Sequence, residues 1–206
     1  ISMKSIISSE VNDLFEIHMQ DVELISIIHP KIKEVETLSQ EIIDSTDELE
    51  LRWIQELNNL NLIEDSLPVS ISSDQRTMLF DQITESCKIL AEVLGCSRFA
   101  VRLAKLRTPM CPLFHVDQIH CRLLIVLCGN GTEWIESEMV DREILLDRKN
   151  INVPLKNGGE IKPMGTGHWC LLKGGKWQTN FSGVVHRSPH EINDRLLLSL
   201  DPIFDQ

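Results

Sequence analysis

The sequence has no C-x-x-C pair and no regular cysteine framework, its six cysteines standing at positions 87, 96, 111, 121, 128 and 170. That argues against a disulfide-built scaffold and for reduced thiols in a cytoplasmic protein. Long apolar runs are missing too. The longest is Leu123 to Cys128, far below the roughly 18 residues of a membrane span, and the first residues show no apolar h-region. No membrane partner is expected. Positive charge is scarce, since residues 10 to 65 hold 15 acidic residues against Lys31, Lys33 and Arg52, and the chain carries a net charge of -11. A nucleic-acid partner would select a clustered basic surface, so none is expected. Internal repeats and low-complexity stretches are absent.

What is present divides by pattern near residue 97. Ile32, Val35, Leu38 and Ile42, and again Leu49, Trp53, Ile54, Leu57 and Leu60, recur at three and four residues, which predicts two helices. Ser45 with Glu48 and Ser72 with Gln75 have capping-box spacing, and the second pair opens a helix through Leu79, Ile83, Leu90 and Val93 to a stop at Gly95. Residues 21 to 28 read as a short strand, and the acids of this half as solvated helix faces. From Arg98 onward, Phe99, Val101 and Leu103 alternate with Arg102 and Ala104, and Leu123 to Cys128 is a buried-strand run. Lys173-Gly174-Gly175-Lys176 has the two-glycine centre of a tight hairpin. The expectation is an α+β chain, with a mainly helical region over 1–97 packed on a strand-built sandwich or barrel over 98–206.

The chemistry-bearing residues lie in the second part. His115 and Asp117 stand at i and i+2, which on an extended chain puts an imidazole and a carboxylate on one face. One His-x-acid triplet is expected by chance in a chain of this composition, so it needs a second histidine. His186, in Val184-Val185-His186-Arg187-Ser188-Pro189, supplies one, followed by Arg195 at the head of a strand-like run. Two histidines and one carboxylate on a facial triangle leave open positions on an octahedral Fe(II), and an arginine beyond the second histidine can grip a carboxylate. Glu133 and Trp134, after Gly129-Asn130-Gly131, are candidates for a substrate mouth, although Gly-Asn-Gly is equally a turn. His120, His168 and His190 read as bystanders, and Arg187 as an ion-pair residue on the face opposite His186.

The order His115-x-Asp117, His186, Arg195 resembles that of the Fe(II)/2-oxoglutarate-dependent dioxygenases. That resemblance implies a double-stranded β-helix of the jelly-roll or cupin type over 98–206. It implies His115, Asp117 and His186 as metal ligands and catalytic centre, and Arg195 on the 5-carboxylate of 2-oxoglutarate. The segments Cys111-Pro112-Leu113-Phe114-His115-Val116-Asp117, Gly129-Asn130-Gly131-Thr132-Glu133-Trp134 and His186-Arg187-Ser188-Pro189 are similar to a bacterial family of domains of unknown function. That family's association with zinc limitation implies a metal link. The expected activity is oxidation of a small-molecule or protein side-chain substrate coupled to oxidative decarboxylation of oxoglutarate. The alternatives are a cupin-like protein holding zinc through the same ligands without oxoglutarate, and a non-catalytic interaction module. The oligomeric state stays open.

Overall fold

The computed structural model of the chain describes residues 1–206 apart from 148, 179, 192 and 206, and apart from the side chain of 62. In chain order the elements are β1 (Lys4–Ser8), a 3-10 turn (Val11–His18), β2 (Val22–Ile27), α1 (Ile32–Ser45), β3 (Glu50–Glu56), α2 (Leu62–Ser66), α3 (Ser73–Leu94), β4 (Arg98–Leu106), β5 (Cys121–Cys128) and β6 (Glu133–Ile135). They continue with a short 3-10 turn (Ser137–Met139), α4 (Arg142–Leu146), β7 (Lys162–Pro163), β8 (Trp169–Lys173), β9 (Val185–Arg187) and β10 (Arg195–Ile203).

Seven strands form the major sheet in the order β1-β2-β8-β5-β10-β4-β3, and three form a minor sheet in the order β7-β6-β9. All pairs are antiparallel except β1 with β2. The apolar run of β5 is explained by burial on both faces of the major sheet. Leu123, Ile125 and Leu127 join a core shared with α1 and α3, whereas Leu124 and Val126 join a second core with Trp134 and Met164, on and beside the minor sheet. β10 alternates in the same way, with Leu196, Leu198 and Leu200 on the helical side and Leu197 on the other.

The helix over Ser73–Leu94 matches its sequence signals. The Ser72 hydroxyl accepts from the Gln75 amide while the Gln75 side chain accepts from the Ser72 amide, and Gly95 ends the helix at φ 68°. Residues 32–45 are also helical, and the strand read at 21 to 28 is β2.

The second predicted helix is not one. Residues 50 to 56 form β3, paired with β4 throughout, so the Ser45/Glu48 spacing caps nothing. Leu49, Trp53 and Leu57 are spaced by four, an even number, and therefore share one face of a strand as readily as one face of a helix. Intervening Glu50 and Arg52 turn outward while Leu51 and Trp53 pack on the helical core. The first half is thus not a separate helical layer: β1, β2 and β3 are hydrogen-bonded into the sheet that β4, β5, β8 and β10 complete, and strand pairing crosses the expected boundary at 97/98. Among the described residues no helix is long and apolar enough to cross a membrane. All six cysteines are free, and only Cys111 is exposed. Burial pushes the Cys87 thiol up to about 12, so it stays protonated and inert.

Candidate metal centre

The site is built where the two chain segments carrying the histidines meet. The His115 amide donates to the His186 carbonyl at 3.0 Å and the His186 amide returns the bond at 3.0 Å, so the two residues face each other directly as an isolated antiparallel bridge. Two residues beyond His186, the Ser188 amide donates to the Cys111 carbonyl, and the Ser188 hydroxyl accepts from the Cys111 amide. The segments 111–117 and 186–188 are thereby zipped to each other.

His115 lies in the loop between β4 and β5 and not within a strand, whereas His186 is central in β9. The imidazoles lie 4.6 Å apart between centroids. In each, Nδ1 sits 3.0 Å from the backbone carbonyl two residues earlier, Leu113 for His115 and Val184 for His186. A carbonyl only accepts, so it fixes a proton on Nδ1 and turns Nε2 inward, where it can ligate a cation through its lone pair or, when it too carries a proton, donate to a carboxylate. Both Nε2 atoms turn toward Asp117, that of His115 lying 3.5 Å from Oδ1 and that of His186 3.3 Å from Oδ2. One ligand atom from each residue falls within 4.8 Å of the others, the disposition needed to hold a single cation.

Asp117 is held from behind. Arg122 Nη1 donates to Asp117 Oδ2 at 2.6 Å, and the same guanidinium grips Asp201 of β10 through Nε and Nη2, both at 2.7 Å. Burial alone would raise the Asp117 pKa, but hydrogen bonds from both histidines and the charge of Arg122 outweigh it and keep the carboxyl well below the usual range. The hydrogen bond with Asp117 in turn raises the pKa of His115, against a smaller opposing effect of burial.

The double-glycine segment does a different job from the predicted hairpin. The strand that follows, β9, belongs to the minor sheet. The segment folds instead against the Asp117 loop, with the Gly175 amide donating to the Asp117 carbonyl at 2.8 Å and the Gly174 amide to that of His120. A Cβ at Gly174 would lie 2.1 Å from the Ile119 carbonyl oxygen, so glycine is required by close backbone approach.

Two hollows flank His115. The narrower, about 80 Å³, is lined by His115 and His186 together with Thr132, Ser188 and four arginines, 102, 122, 187 and 195. Three of these have acid partners: Arg102 with Glu50, Arg122 with Asp117 and Asp201, and Arg187 with Glu133. Arg195 has none among the described residues. It is 4% exposed, its one side-chain hydrogen bond among the described residues runs from Nη1 to the Asn130 carbonyl at 3.2 Å, and burial lowers its pKa to about 10. Gly129, at φ 93°, lets the chain pass over it, since a Cβ there would lie 2.9 Å from Arg195 Cγ. The Gly-Asn-Gly run is therefore a turn that seats Arg195.

The wider hollow, about 660 Å³, is bordered by His115, Leu113, Phe114 and Val116 on one side and by Arg142 and the α4 leucines on the other. Glu133 and Trp134, expected at a substrate mouth, line neither hollow. Trp134 is 4% exposed in the core toward the minor sheet, and Glu133 accepts from Arg187 Nε at 2.7 Å. Arg187 is an ion-pair residue as expected, but it is largely buried and also stacks 4.4 Å over Phe114. His168 bonds Ser26 through Nδ1, and His120 packs edge-on against Phe204. The Arg122–Asp201 support and the placement of Arg142 had no signal in the sequence, because their partners are brought together only by strand pairing and loop packing.

The fold is similar to that of solved dioxygenases, one of them described as Fe(II)/α-ketoglutarate-dependent. The rice dioxygenase for auxin oxidation superposes with a TM-score of 0.60 at 10% identity over 100% of this chain and 84% of its own. The Fe(II)/α-ketoglutarate-dependent dioxygenase TqaL gives 0.53 at 12% identity over 93% and 86%. A Pseudomonas putida prolyl-4-hydroxylase gives 0.51 at 12% identity over 100% and 99%. At these identities the likeness is one of fold. By sequence, the chain belongs to the family described as protein of unknown function (DUF1826), which matches residues 8–201. No curated protein matches it.

Proposed function

We propose that the protein is a non-haem Fe(II)/2-oxoglutarate-dependent oxygenase, with His115, Asp117 and His186 as metal ligands and Arg195 as the anchor for the oxoglutarate 5-carboxylate. The observation that carries this reading is Arg195: a buried guanidinium without an acid partner among the described residues, lining the same narrow cleft as the two histidines. A buried charge is expensive unless paired, and a dicarboxylate bound in that cleft supplies the missing anion in a bidentate grip. A cupin holding zinc alone would leave that cation with no role.

The donor set fits the ion. Two neutral imidazoles with Nδ1 anchored on carbonyls, and one ionised carboxylate, form a facial triad suited to Fe(II). When bound, the iron would supply the redox chemistry that couples oxoglutarate decarboxylation to substrate oxidation. The chain's own residues orient and exclude. The two backbone bonds between His115 and His186 hold the imidazoles in fixed register. Arg122, locked on Asp201, holds Asp117 ionised and limits its rotation. Arg195 and Thr132 line the cleft on one side of His115, and the wide hollow on its other side is where a substrate would lie. Fixed dipoles and restricted water access are what a site of this kind contributes.

Anaerobic titration with Fe(II) and oxoglutarate tests the reading. A visible charge-transfer band of chelated oxoglutarate is expected, together with succinate formation once oxygen is admitted. Absence of the band in folded, iron-loaded protein would overturn it.

A further inference from the structure

We propose that the wide hollow beside His115 takes a small apolar carboxylate as substrate, its carboxylate held by Arg142. The proposal rests on the oxygenase reading and adds to it the chemical class of the compound oxidised. At about 660 Å³ the space suits a small organic molecule. Its walls are rich in hydrocarbon, and Leu113 and Leu146 are left 55% and 78% exposed, which is a cost in water unless something apolar covers them.

The charges of the hollow are few. Arg142 is the single cation among its described lining residues and Asp147 the single acid. Asp147 is already used, its Oδ1 accepting from the Lys149 amide at 3.0 Å. Arg142 is half-buried, yet among the described residues it has neither an ion pair nor a hydrogen bond. The nearby carboxylate that acts on it, Glu23, is committed elsewhere, accepting from the Ser137 amide at 3.2 Å and from the Ser137 hydroxyl. The arginines of the neighbouring cleft show the contrast, since all but Arg195 carry their own acid. Two guanidinium groups without an ion-paired acid among the described residues therefore stand in separate hollows with His115 bordering both. One suits the oxoglutarate carboxylate and the other suits the substrate's. The apolar body would then span from α4 toward His115.

The test uses protein loaded anaerobically with Fe(II) and saturating oxoglutarate, so that Arg195 is occupied. Octanoate and 3-phenylpropionate are titrated by calorimetry alongside 1-octanol and 3-phenylpropanol. At least one acid should bind roughly 10-fold or more tightly than its alcohol, the size of a charge-assisted hydrogen bond. It should also perturb the iron–oxoglutarate band. Arg142→Gln should abolish the preference, and Arg142→Lys should restore part of it in a protein with unchanged thermal stability. Equal binding of acid and alcohol, or an acid preference that survives in Arg142→Gln, would overturn the proposal while leaving the band and the oxygenase reading intact. Loss of the band with Arg142-dependent acid binding retained would instead sink the oxygenase reading and, with it, the assignment of the acid as substrate.

Discussion

Asp117 combines two demands that pull against each other, a buried position and a full negative charge, and it meets both because three donors converge on it. Replacing it by alanine removes the anion on which the proposed metal site depends. Metal content in purified Asp117→Ala should fall to a small fraction of the wild type, whereas Glu133→Ala, which loses only the Arg187 pair, should keep its metal; atomic absorption on the two folded variants checks this. Asp201 acts at one remove. In Asp201→Asn the guanidinium of Arg122 loses its charged bidentate partner, Asp117 becomes less well oriented, and metal affinity should fall by roughly 10-fold or more. Equal affinities in a competition titration would show that the support from β10 is dispensable. For Arg195→Ala, iron should be retained while oxoglutarate binding weakens by a factor of roughly 30 to several thousand; calorimetry with Fe(II) present decides it.

Elements carry a second class of consequence, because the loops that hold these residues are shaped by backbone contacts. Gly174 is the tightest case beside Asp117: an added methyl meets the Ile119 carbonyl, so Gly174→Ala should cost about 1–3 kcal/mol and lower metal content with it. Thermal denaturation and metal analysis of the same preparation should show both losses. The elements also show why the sequence was only partly legible. α3 announces both of its ends with local chemistry, Ser72/Gln75 and Gly95, and β5 announces itself by a continuous apolar run. β3 does not, because a spacing of four satisfies both periodicities, and only pairing with β4 decides between them. The proposed ligands His115, Asp117 and His186 stand out because their chemistry is distinctive at any position. Arg122, Asp201 and Arg142 are ordinary surface-type residues in sequence, and only the packing gives them work.

For the molecule as a whole, the acidic first half is woven into the sheet that carries the site, so its titration reaches the global stability. Glu23 of β2 is fully buried, and burial raises its pKa above the ordinary 4.5 even though hydrogen bonds from Ser137 oppose the shift. Between about pH 4.5 and the raised value, the folded state thus keeps a proton that the unfolded chain has released. Stability contributed by this group declines as pH rises from about 4.5 through the raised value. Glu23→Gln, which keeps the acceptor for Ser137 and removes the charge, should flatten that decline and be the more stable form at pH 7. Melting temperatures of the two proteins between pH 4 and 8 should diverge with increasing pH; parallel curves would contradict the assignment.

The mutual backbone bonds of His115 and His186 bring together two points of the chain with β5 through β8 between them. An ion held by these residues would therefore act as a removable cross-link, closing a long loop whose ends are otherwise joined by a few hydrogen bonds. A ligand that binds only the folded form stabilises it by mass action, about 2.7 kcal/mol at 100 times its Kd, and here the gain should concentrate at the seam between the 111–117 and 186–188 segments. Limited proteolysis ought to report it directly, with cuts near Met110 and Ser182 appearing quickly in chelator-treated protein and slowly once Fe(II) is restored.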